Sequence, residues 1–316
     1  MRELLTELPG IGLISTDLAR STTWRRGVTI RKLMRMTSEF VLALSCPDRV
    51  GIVHAVSGFL VERDGTIVDS QQFSDPGSGR FFMRVQFRVD GEREALSADF
   101  TAIAARYNLD WRLHDLAVRP RVMVLASKQG HCLNDLIYRF RTEALRGDLA
   151  AVASNHTDWA GLAEGAGVPF HHVPVDARSR GAQEQRLLDM VASYDVDVVV
   201  LARYMQVLSD AFCAKLPGQI INIHHSFLPS FKGARPYHQA YERGVKLIGA
   251  TAHYVTTDLD EGPIIEQETA RVDHAMAPER LVAAGRDLEN VVLARALSWH
   301  LDHRVLLNGA RTVVFR

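Results

Sequence analysis

The stretch "VDVVVLARYMQVLS", residues 196–209, decides the fold class, because an almost unbroken apolar run leads directly into a mixed segment. Apolar runs of this kind are typical of parallel strands that are buried on both faces of a sheet. A second run, "RVMVLAS", lies at 121–127, and helical patterns at 131–147 and 181–194 with a strand pattern at 149–154 separate the two. This alternation predicts a doubly wound, mostly parallel α/β domain.

The same domain continues to the end of the chain. Strand patterns follow at 218–224 and 247–256, and a long helical pattern runs through 286–301. The segment 305–315, "VLLNGARTVVF", is typical of a hairpin built on an Asn-Gly turn. We therefore expect the doubly wound domain to span 121–316.

A different pattern precedes the short linker "RPR" at 119–121. The strand patterns there are 39–45, 65–75, 80–89 and 109–118, and the helical patterns are 52–64 and 94–108. The order βαββαβ predicts a ferredoxin-like α+β domain over 37–118, with two helices packed on one antiparallel sheet.

The first 36 residues fit neither domain. They are basic and contain Ser and Thr, and they lack the compact apolar stretch of a secretory signal. One interpretation is a transit-like or disordered extension. The other is that translation starts at Met34 or Met36, and we favour it because no structural period is present upstream.

Composition excludes several classes of partner. Lys plus Arg and Asp plus Glu balance at 37 each, so bulk charge gives no reason to expect a nucleic acid or an anionic membrane. No apolar window approaches the roughly 18 residues of a membrane span. The cysteines Cys46, Cys132 and Cys213 are widely spaced, which argues against disulfides or structural zinc. A reducing, cytoplasmic location is expected.

Polar side chains at strand ends are the first candidates for chemistry, because ligands of open α/β sheets bind outside the carboxyl ends of the strands. Asn222 and His224 lie two residues apart on a predicted strand and therefore point to the same side. A third element is the segment 251–268, where a strand with His253 runs into an acidic turn. The acidic residues of this turn are Asp258, Asp260 and Glu261.

An amide, an imidazole and a carboxylate together suit attack of water or an amine on an acyl carbon. Taken singly, each of these groups more often has a structural role. A metal site is the other alternative, with His224, His225, His238, His253 and Asp260 as imaginable ligands. No tight ligand spacing supports it, and no metal is predicted. Ser226 lies in no G-x-S-x-G elbow and is not expected to be a nucleophile.

The segment 222–268 resembles the signature N-x-H, L-P-S and L-D-x-G of the folate-dependent formyltransferase superfamily, and the resemblance extends from Arg121 to the C-terminus. It implies that Asn222, His224 and Asp260 form the catalytic set. The run 201–209 resembles the superfamily's pterin-contacting segment. By this resemblance the folate pocket is formed by Met205, Gln206, Val207 and Leu208.

Within the superfamily the chain is most similar to the hydrolytic members, which release formate and tetrahydrofolate from 10-formyltetrahydrofolate. The opening segment 44–60 resembles an ACT domain, and 231–255 matches the hydrolytic members almost continuously. Lys128, His131 and Cys132 stand where transferases carry a phosphate-binding loop for their acceptor. The resemblance implies no tightly bound cofactor, and a role in supplying formate and balancing the one-carbon folate pool for purine synthesis.

The implied mechanism leaves the proton acceptor open. Asp260 either deprotonates water or holds His224 so that the imidazole does so, while His224 and Asn222 stabilise the oxyanion. His253 either tunes Asp260 or has a structural role. Lys128 is a weaker candidate for contact with the glutamate tail of the folate.

The ACT-like domain suggests a regulatory ligand. Its loop residues Cys46, Pro47, Asp48 and Gly51 open a helix whose free amides suit a small carboxylate. Resemblance points to an amino-acid effector, glycine or methionine. The alternative is that this domain only assembles subunits through its sheet edge or helices, and a homo-oligomer is expected.

Two other functions remain open at this point. One is a phosphoribosylglycinamide-type formyltransferase, which would need an acceptor phosphate loop. The other is a catalytically silent amino-acid or folate sensor, which would have no need of Asn222, His224 and Asp260 together.

Overall fold

The N-terminal strands of the chain form a sheet of their own. The computed structural model describes residues 37–175, 180–229 and 236–316, so the predicted extension 1–36 lies outside the described residues. Among these residues the small sheet has four strands, a larger sheet has seven, and a hairpin has two. No helix in this part of the chain is both long and apolar enough to cross a membrane.

The small sheet confirms the predicted βαββαβ order. Its elements are β1 (Ser38–Pro47), α1 (Ile52–Val61), β2 (Thr66–Asp75), β3 (Arg80–Val89), α2 (Arg93–Tyr107) and β4 (Asp110–Asp115). The strand order is β2-β3-β1-β4, and neighbouring strands are antiparallel. We call these elements the small-sheet region. The likeness to an ACT domain stays a prediction.

Aromatic side chains hold the two helices of this region on one face of the sheet. Phe59 of α1 and Phe100 of α2 meet edge to face at 5.1 Å between ring centroids, and Phe100 meets Trp111 of β4 at 4.9 Å. Such pairs contribute about 0.5–1.5 kcal/mol beyond the burial of their area. Alternate residues of β3, from Phe81 to Val89, are buried in the same core.

The second sheet confirms the doubly wound prediction. Its strands are β5 (Arg121–Ala126), β6 (Asp148–Ser154), β7 (Phe170–His172), β8 (Val198–Ala202), β9 (Ile220–His224), β10 (Leu247–Tyr254) and β11 (Ile264–Arg271). The order is β11-β10-β9-β8-β5-β6-β7; β10 is antiparallel to both of its neighbours, β9 and β11, and the other pairs are parallel. The helices are α3 (His131–Arg141), α4 (Ala160–Gly165), α5 (Arg180–Ser193), α6 (Asp210–Cys213), α7 (Pro236–Glu242) and α8 (Pro278–Leu301). We call this the large-sheet region.

Several of these elements differ from the sequence prediction. The short elements α4, β7, α6 and α7, and the edge strand β11, were not predicted. The helix expected over 131–147 ends at Arg141, because Glu143 takes a left-handed φ of 57° and the Ala144 amide donates to the Arg139 carbonyl at 2.9 Å. A left-handed residue of this kind is a common helix stop.

The predicted C-terminal hairpin is present, with its turn shifted by one residue. Strands β12 (Val305–Asn308) and β13 (Arg311–Val314) pair so that Asn308 lies opposite Arg311. The two turn residues are therefore Gly309 and Ala310 rather than Asn308 and Gly309. Gly309 has a φ of 61°, which suits the glycine-first type of two-residue hairpin turn.

This hairpin attaches the small-sheet region to the rest of the chain. Asp75 Oδ2 accepts hydrogen bonds from Asn308 Nδ2 at 2.7 Å and from Arg311 Nη2 at 2.8 Å. Arg84, whose side chain is buried, donates from Nη2 to the Asp302 carbonyl at 3.0 Å and pairs with Asp69. Charged groups therefore fix the junction between the two regions.

We expect Asp75→Asn to reduce the acid sensitivity of the folded chain. Hydrogen bonds from Ser78, Asn308 and the Gly77 amide, helped by the charge of Arg311, lower the pKa of Asp75 from 3.8 to about 2. A carboxyl with a depressed folded pKa stabilises the fold above its unfolded pKa, and this contribution is lost as the pH falls from 3.8 through about 2.

The measurement is the free energy of unfolding in urea at neutral pH and at several acidic pH values. Wild type should lose more stability on acidification than Asp75→Asn. The exposed Asp158→Asn serves as the control and should follow wild type. Equal acid slopes for wild type and Asp75→Asn would contradict the role assigned to this carboxylate.

Candidate active site

Strands β9 and β10 place three polar side chains together. Strand β9 pairs in parallel with β8 and antiparallel with β10, and the register sets Asn222 opposite His253 and His224 opposite Thr251. Ile221 and Ile223 alternate with the polar residues of β9 and are buried. Asn222 and His224 therefore share one face at the carboxyl end of β9, as predicted.

Asp260 completes the group from the turn after β10. It has a left-handed φ of 56°, which Asp tolerates better than most residues. Its Oδ1 lies 3.3 Å from His224 Nδ1 and 3.8 Å from His253 Nε2. The structure thus brings Asn222, His224, His253 and Asp260 into one cluster, which we call the Asp260 cluster. Asp258 of the same turn is exposed.

At Gly262 the backbone of the acidic turn packs so closely on the end of β10 that there is no room for a side chain. A Cβ at Gly262 would lie 1.7 Å from the Tyr254 carbonyl oxygen, so the turn backbone packs directly on the end of β10. The Tyr254 amide also donates to the Pro263 carbonyl at 2.9 Å. These contacts turn the chain back on itself and carry Asp260 to the histidines. Sequence reasoning treated Gly262 and Pro263 only as turn residues.

His253 has a defined tautomer. Its Nδ1 lies 2.9 Å from the Tyr254 carbonyl oxygen, which can only accept, so Nδ1 carries the proton. Burial lowers the pKa of His253, which keeps the ring neutral. Its Nε2 therefore accepts from Asn222 Nδ2 at 3.2 Å. This bond fixes the orientation of the Asn222 amide and leaves its second N–H to point elsewhere.

The Asp260 carboxylate is charged at neutral pH. The hydrogen bond with His224 lowers the pKa of Asp260 below its usual value, although burial opposes the shift. His224 Nδ1 is engaged by Asp260, whereas His224 Nε2 is buried and has no hydrogen-bond partner among the described residues. A buried polar atom without a partner is costly, and it suits a site that completes its hydrogen bonds with a ligand.

Comparison with known proteins identifies the family. Residues 120–297 match the Formyl transferase family. The chain is 50% identical over 279 residues to a formyltetrahydrofolate deformylase of Corynebacterium sp. (strain P-1), covering 87% of this chain and 98% of that protein. The chain belongs to the formyltetrahydrofolate deformylase family. A deformylase of Bacillus subtilis (strain 168) is 49% identical over 87% of this chain and 93% of its own length.

Solved structures separate the deformylases from the related transferases. The crystal structure of formyltetrahydrofolate deformylase from Burkholderia mallei is similar with a TM-score of 0.85 and 50% identity, covering 88% of this chain and all of that one. Glycinamide ribonucleotide transformylase 1 from Symbiobacterium toebii gives a TM-score of 0.59 and 33% identity over 63% of this chain and 95% of its own. The deformylase therefore covers more of this chain than the transformylase does.

In this deformylase-family chain the predicted folate residues form the loop after β8. Met205 and Val207 are each 57% exposed, and Gln206 and Leu208 are half-buried. The Met205 amide donates to Ser127 Oγ at 3.0 Å, which ties this loop to the loop after β5. Both loops lie at the carboxyl ends of their strands, on the same sheet edge as Asn222. The folate contacts themselves stay a prediction.

A second buried cluster, which sequence reasoning missed, lies on the same sheet edge. Glu289 of α8 is 1% exposed and contacts His131 Nε2 at 2.8 Å, Arg203 Nε at 3.3 Å and the Tyr237 hydroxyl at 2.8 Å. We call this the Glu289 cluster. Although burial alone would raise the pKa of Glu289, the hydrogen bond from His131 and the charge of Arg203 lower it. The signal in the sequence that could have indicated this cluster is a glutamate, Glu289, on the apolar face of a long helix.

His225 joins the two clusters. Its ring stacks on His224 at 5.1 Å and lies 6.4 Å from the Tyr237 ring, measured between centroids. Burial and the nearby charge of Arg203 lower the pKa of His225 to about 4, so it is neutral at physiological pH. His225 therefore supplies packing between the clusters and adds no charge.

The chemistry of the Glu289 cluster does not favour a metal there. Among the described residues, the one group of potential metal ligands within 4.8 Å of one another is His131, Cys132 and Glu289. Burial raises the pKa of the Cys132 thiol, and Arg203 already neutralises Glu289. His238, the remaining candidate ligand, is an exposed residue of α7.

In the predicted effector loop, few hydrogen-bonding groups are free to bind a ligand. The side chain of Cys46 is buried in the core of the small-sheet region, and Pro47 ends β1. The Asp48 amide already donates to the Gly79 carbonyl at 2.9 Å. Gly51 is the N-cap of α1 with a φ of 98°, and a Cβ added there would meet the Tyr107 hydroxyl at 3.0 Å. Whether this loop binds an effector stays a prediction.

We expect Gly262→Ala to destabilise the fold by about 1–3 kcal/mol, the usual cost of overpacking. The added Cβ would meet the Tyr254 carbonyl oxygen at 1.7 Å and force the turn off β10. Gly161→Ala is the matched control, because its Cβ would meet nothing within 4 Å in α4. It should be neutral or stabilising by up to about 1 kcal/mol. Urea denaturation measures both, and wild-type stability of Gly262→Ala would refute the contact.

Proposed function

We propose that this chain hydrolyses 10-formyltetrahydrofolate to formate and tetrahydrofolate. The observation that carries the proposal is the Asp260 cluster, in which a charged carboxylate, an imidazole with an unpartnered Nε2 and an oriented amide meet at one strand end. The name of its relatives, formyltetrahydrofolate deformylase, describes the removal of a formyl group from formyltetrahydrofolate. The cluster has the groups that this reaction requires.

The proposed mechanism uses water as the nucleophile. Water attacks the formyl carbon, and its proton passes to Asp260 or to His224. As an imidazolium, His224 donates from Nδ1 to Asp260 and from Nε2 to the developing oxyanion. The free N–H of Asn222 donates to the same oxygen. Collapse breaks the bond from carbon to N10, N10 takes a proton, and formate leaves.

The substrate contacts are also proposed. The pterin lies against Met205, Gln206, Val207 and Leu208, because exposed apolar side chains on a loop beside the cluster suit a flat, largely apolar ring. Lys128, exposed on the neighbouring loop, meets the glutamate tail. The side chains of the site supply the hydrogen bonds and the proton acceptor, so no tightly bound cofactor is proposed. The two products are proposed to balance the one-carbon folate pool for purine synthesis.

The transferase alternative predicts that turnover needs an amine acceptor. Similarity to the Symbiobacterium toebii transformylase extends over 63% of this chain, against 88% for the Burkholderia mallei deformylase. The sensor alternative predicts binding without turnover. Neither alternative accounts for both the long coverage by deformylases and the complete Asp260 cluster.

Asp260→Asn is expected to lower the turnover of 10-formyltetrahydrofolate by roughly 10²–10⁴, because it removes the charge that orients or deprotonates water. Release of formate is measured in water alone and again with glycinamide ribonucleotide. Asp258→Asn, an exposed change in the same turn, is the control and should retain wild-type turnover.

Release of formate by wild type without an acceptor supports the proposal. Turnover only with glycinamide ribonucleotide would establish the transferase instead. Binding of folate with no turnover under either condition would favour the sensor. A loss below tenfold in a folded Asp260→Asn variant would remove Asp260 from the mechanism.

Three further expectations concern the surroundings of the protein. The cysteines Cys46, Cys132 and Cys213 are buried and free, which supports a reducing, cytoplasmic location. Cell fractionation that finds the chain in an exported fraction would contradict it.

An amino-acid effector, glycine or methionine, is proposed for the small-sheet region. A homo-oligomer is proposed because β2 is an edge strand with exposed Ile67 and Phe73.

Light scattering should give wild type at least twice the mass of one chain. Phe73→Lys should lower this mass, because a charge at the apolar edge of β2 opposes pairing with a second edge. Tyr138→Lys replaces an exposed aromatic residue of α3 and should leave the mass unchanged. A monomeric wild type would contradict the proposed oligomer.

A further inference from the structure

Arg203 stands where β8 passes into the loop of the predicted folate residues, and its backbone is strained. Strand β8 ends at Ala202, and Arg203 follows with a left-handed φ of 62°. Residues that carry a side chain rarely adopt this conformation, whereas glycine adopts it at little cost. Such a residue persists only where the surrounding structure holds it in place. The contacts of the Arg203 side chain therefore need to offset the strain. We call residues 204–209 the β8 loop.

The side chain of Arg203 is buried between two acceptors. The residue is 7% exposed, and its Nε lies 3.3 Å from Glu289 Oε2 and donates to Gln129 Oε1 at 3.2 Å. The guanidinium and the ionised Glu289 neutralise each other, which lets both charges stay buried. Gln129 lies in the segment 127–130 after β5, which we call the β5 loop. One nitrogen therefore connects the start of the β8 loop to the β5 loop and to α8.

A second hydrogen bond joins the same two loops. The Met205 amide donates to Ser127 Oγ at 3.0 Å, and this hydroxyl donates in turn to Asn155 Oδ1 at 2.7 Å. The Ser127 carbonyl accepts from Trp159 Nε1 at 3.0 Å. Because Ser127 is buried and bonded on both its hydroxyl and its carbonyl, the β5 loop is a fixed support for the β8 loop.

The far end of the β8 loop is fixed as well. The Ser209 amide donates to Glu184 Oε1 of α5 at 2.8 Å, and the Ser209 hydroxyl donates to the same carboxylate. Between the two fixed ends, Met205 and Val207 are exposed. An apolar surface that is already ordered binds a ligand at a smaller entropic cost than a mobile one. The β8 loop has this form only while Arg203 holds its first residues.

We propose that Arg203 is a positioning residue for the folate substrate. Its side chain, held by Glu289 and Gln129, fixes the start of the β8 loop so that the loop meets the pterin already ordered. In this role Arg203 contacts no reacting atom, and the Asp260 cluster carries out the chemistry. The effect on substrate binding rests on the proposed function, whereas the order of the β8 loop does not depend on any substrate. The simpler alternative is that Arg203 only neutralises Glu289.

The order of the β8 loop is tested by amide hydrogen–deuterium exchange of the full-length protein without a ligand. Arg203→Lys keeps a positive charge beside Glu289 but replaces a planar guanidinium by a point charge on a flexible chain. Exchange of the amides in 204–209 should become roughly tenfold faster, because local opening of the loop becomes easier. Exchange in β8 itself should stay as in wild type.

Arg121→Lys is the matched control. Arg121 is a half-buried arginine at the amino end of β5, and its Nε donates to the Tyr194 carbonyl. Because β5 and β8 are parallel, this end of β5 lies at the opposite edge of the sheet from the β8 loop. Arg121→Lys should leave exchange in 204–209 and the KM for 10-formyltetrahydrofolate at their wild-type values.

Substrate binding is tested by formate release at varied concentrations of 10-formyltetrahydrofolate. Arg203→Lys should raise KM roughly tenfold, the order expected for the loss of one hydrogen bond to a charged group. Its kcat should stay within about threefold of wild type, because the change weakens binding and leaves the chemical step intact. Calorimetric titration with tetrahydrofolate, in the absence of oxygen, should show the same weakening. A fall in kcat with an unchanged KM would place Arg203 in the chemical step and overturn the positioning role.

Gln129 separates positioning from charge neutralisation, and it supplies a second variant if Arg203→Lys does not fold. Gln129→Leu removes the acceptor in the β5 loop and leaves the pair of Arg203 with Glu289 in place. It should raise KM and speed exchange in 204–209 by roughly threefold or more, as the loss of a neutral acceptor predicts. Gln129→Glu keeps an acceptor oxygen and should raise KM less. If Gln129→Leu behaves as wild type, Arg203 only neutralises Glu289 and the proposal fails.

The two measurements distinguish this inference from the proposed hydrolysis. If wild type neither releases formate nor binds tetrahydrofolate, the proposed hydrolysis fails, and the role of Arg203 in substrate binding fails with it. Faster exchange in Arg203→Lys would then still support the hold of Arg203 on the β8 loop. If wild type releases formate and neither Arg203→Lys nor Gln129→Leu changes KM or exchange, the hydrolysis stands and the positioning role is overturned.

Discussion

The antiparallel pairing of β9 with β10 is the constraint on which the site depends. It sets Asn222 directly opposite His253, so one hydrogen bond fixes the amide and the imidazole together. Because a shift of one residue would move every side chain to the other face, this register cannot slip without dismantling the cluster. Asp260 reaches the pair only because Gly262 allows the next turn to pack on the Tyr254 carbonyl.

Burial of charge shapes this edge of the sheet. Removing one member of a buried ion pair costs several kcal/mol, so such charges persist when every partner is satisfied. Glu289 meets this condition through His131, Arg203 and Tyr237. The Asp260 cluster does not, since His224 Nε2 has no partner in the described part of the chain. This difference separates a cluster with satisfied structural contacts from one suited to bind a ligand.

The small-sheet region bears on the same site through the C-terminal residues. Asp75 and Arg84 are held by groups of α8's end and the final hairpin, and the cleft between the regions is lined by Tyr254. The carbonyl of Tyr254 orients His253. Tyr254 therefore contacts the junction of the two regions with its side chain and the active site with its backbone.

Local sequence patterns were sufficient to predict much of the fold. The apolar runs at 121–127 and 196–202 determined the doubly wound class, and the period of two placed Asn222 and His224 on one face. The short elements and β11 were missed, because a few residues of mixed polarity leave no period to detect. Asp260 could be chosen over Asp258 and Glu261 only through resemblance to a family, since its approach to His224 joins residues far apart in the chain.

The sequence by itself therefore determined the fold class, the order of the longer periodic strands and helices, and which polar residues stand at strand ends. Tertiary structure alone decided that His253 faces Asn222, that Gly262 must lack a side chain, and that Glu289 is the centre of a buried cluster. It also formed the cleft beside Tyr254. The physical reason is that these features depend on strand register and on packing between distant segments, which no local period of two or 3.6 residues encodes.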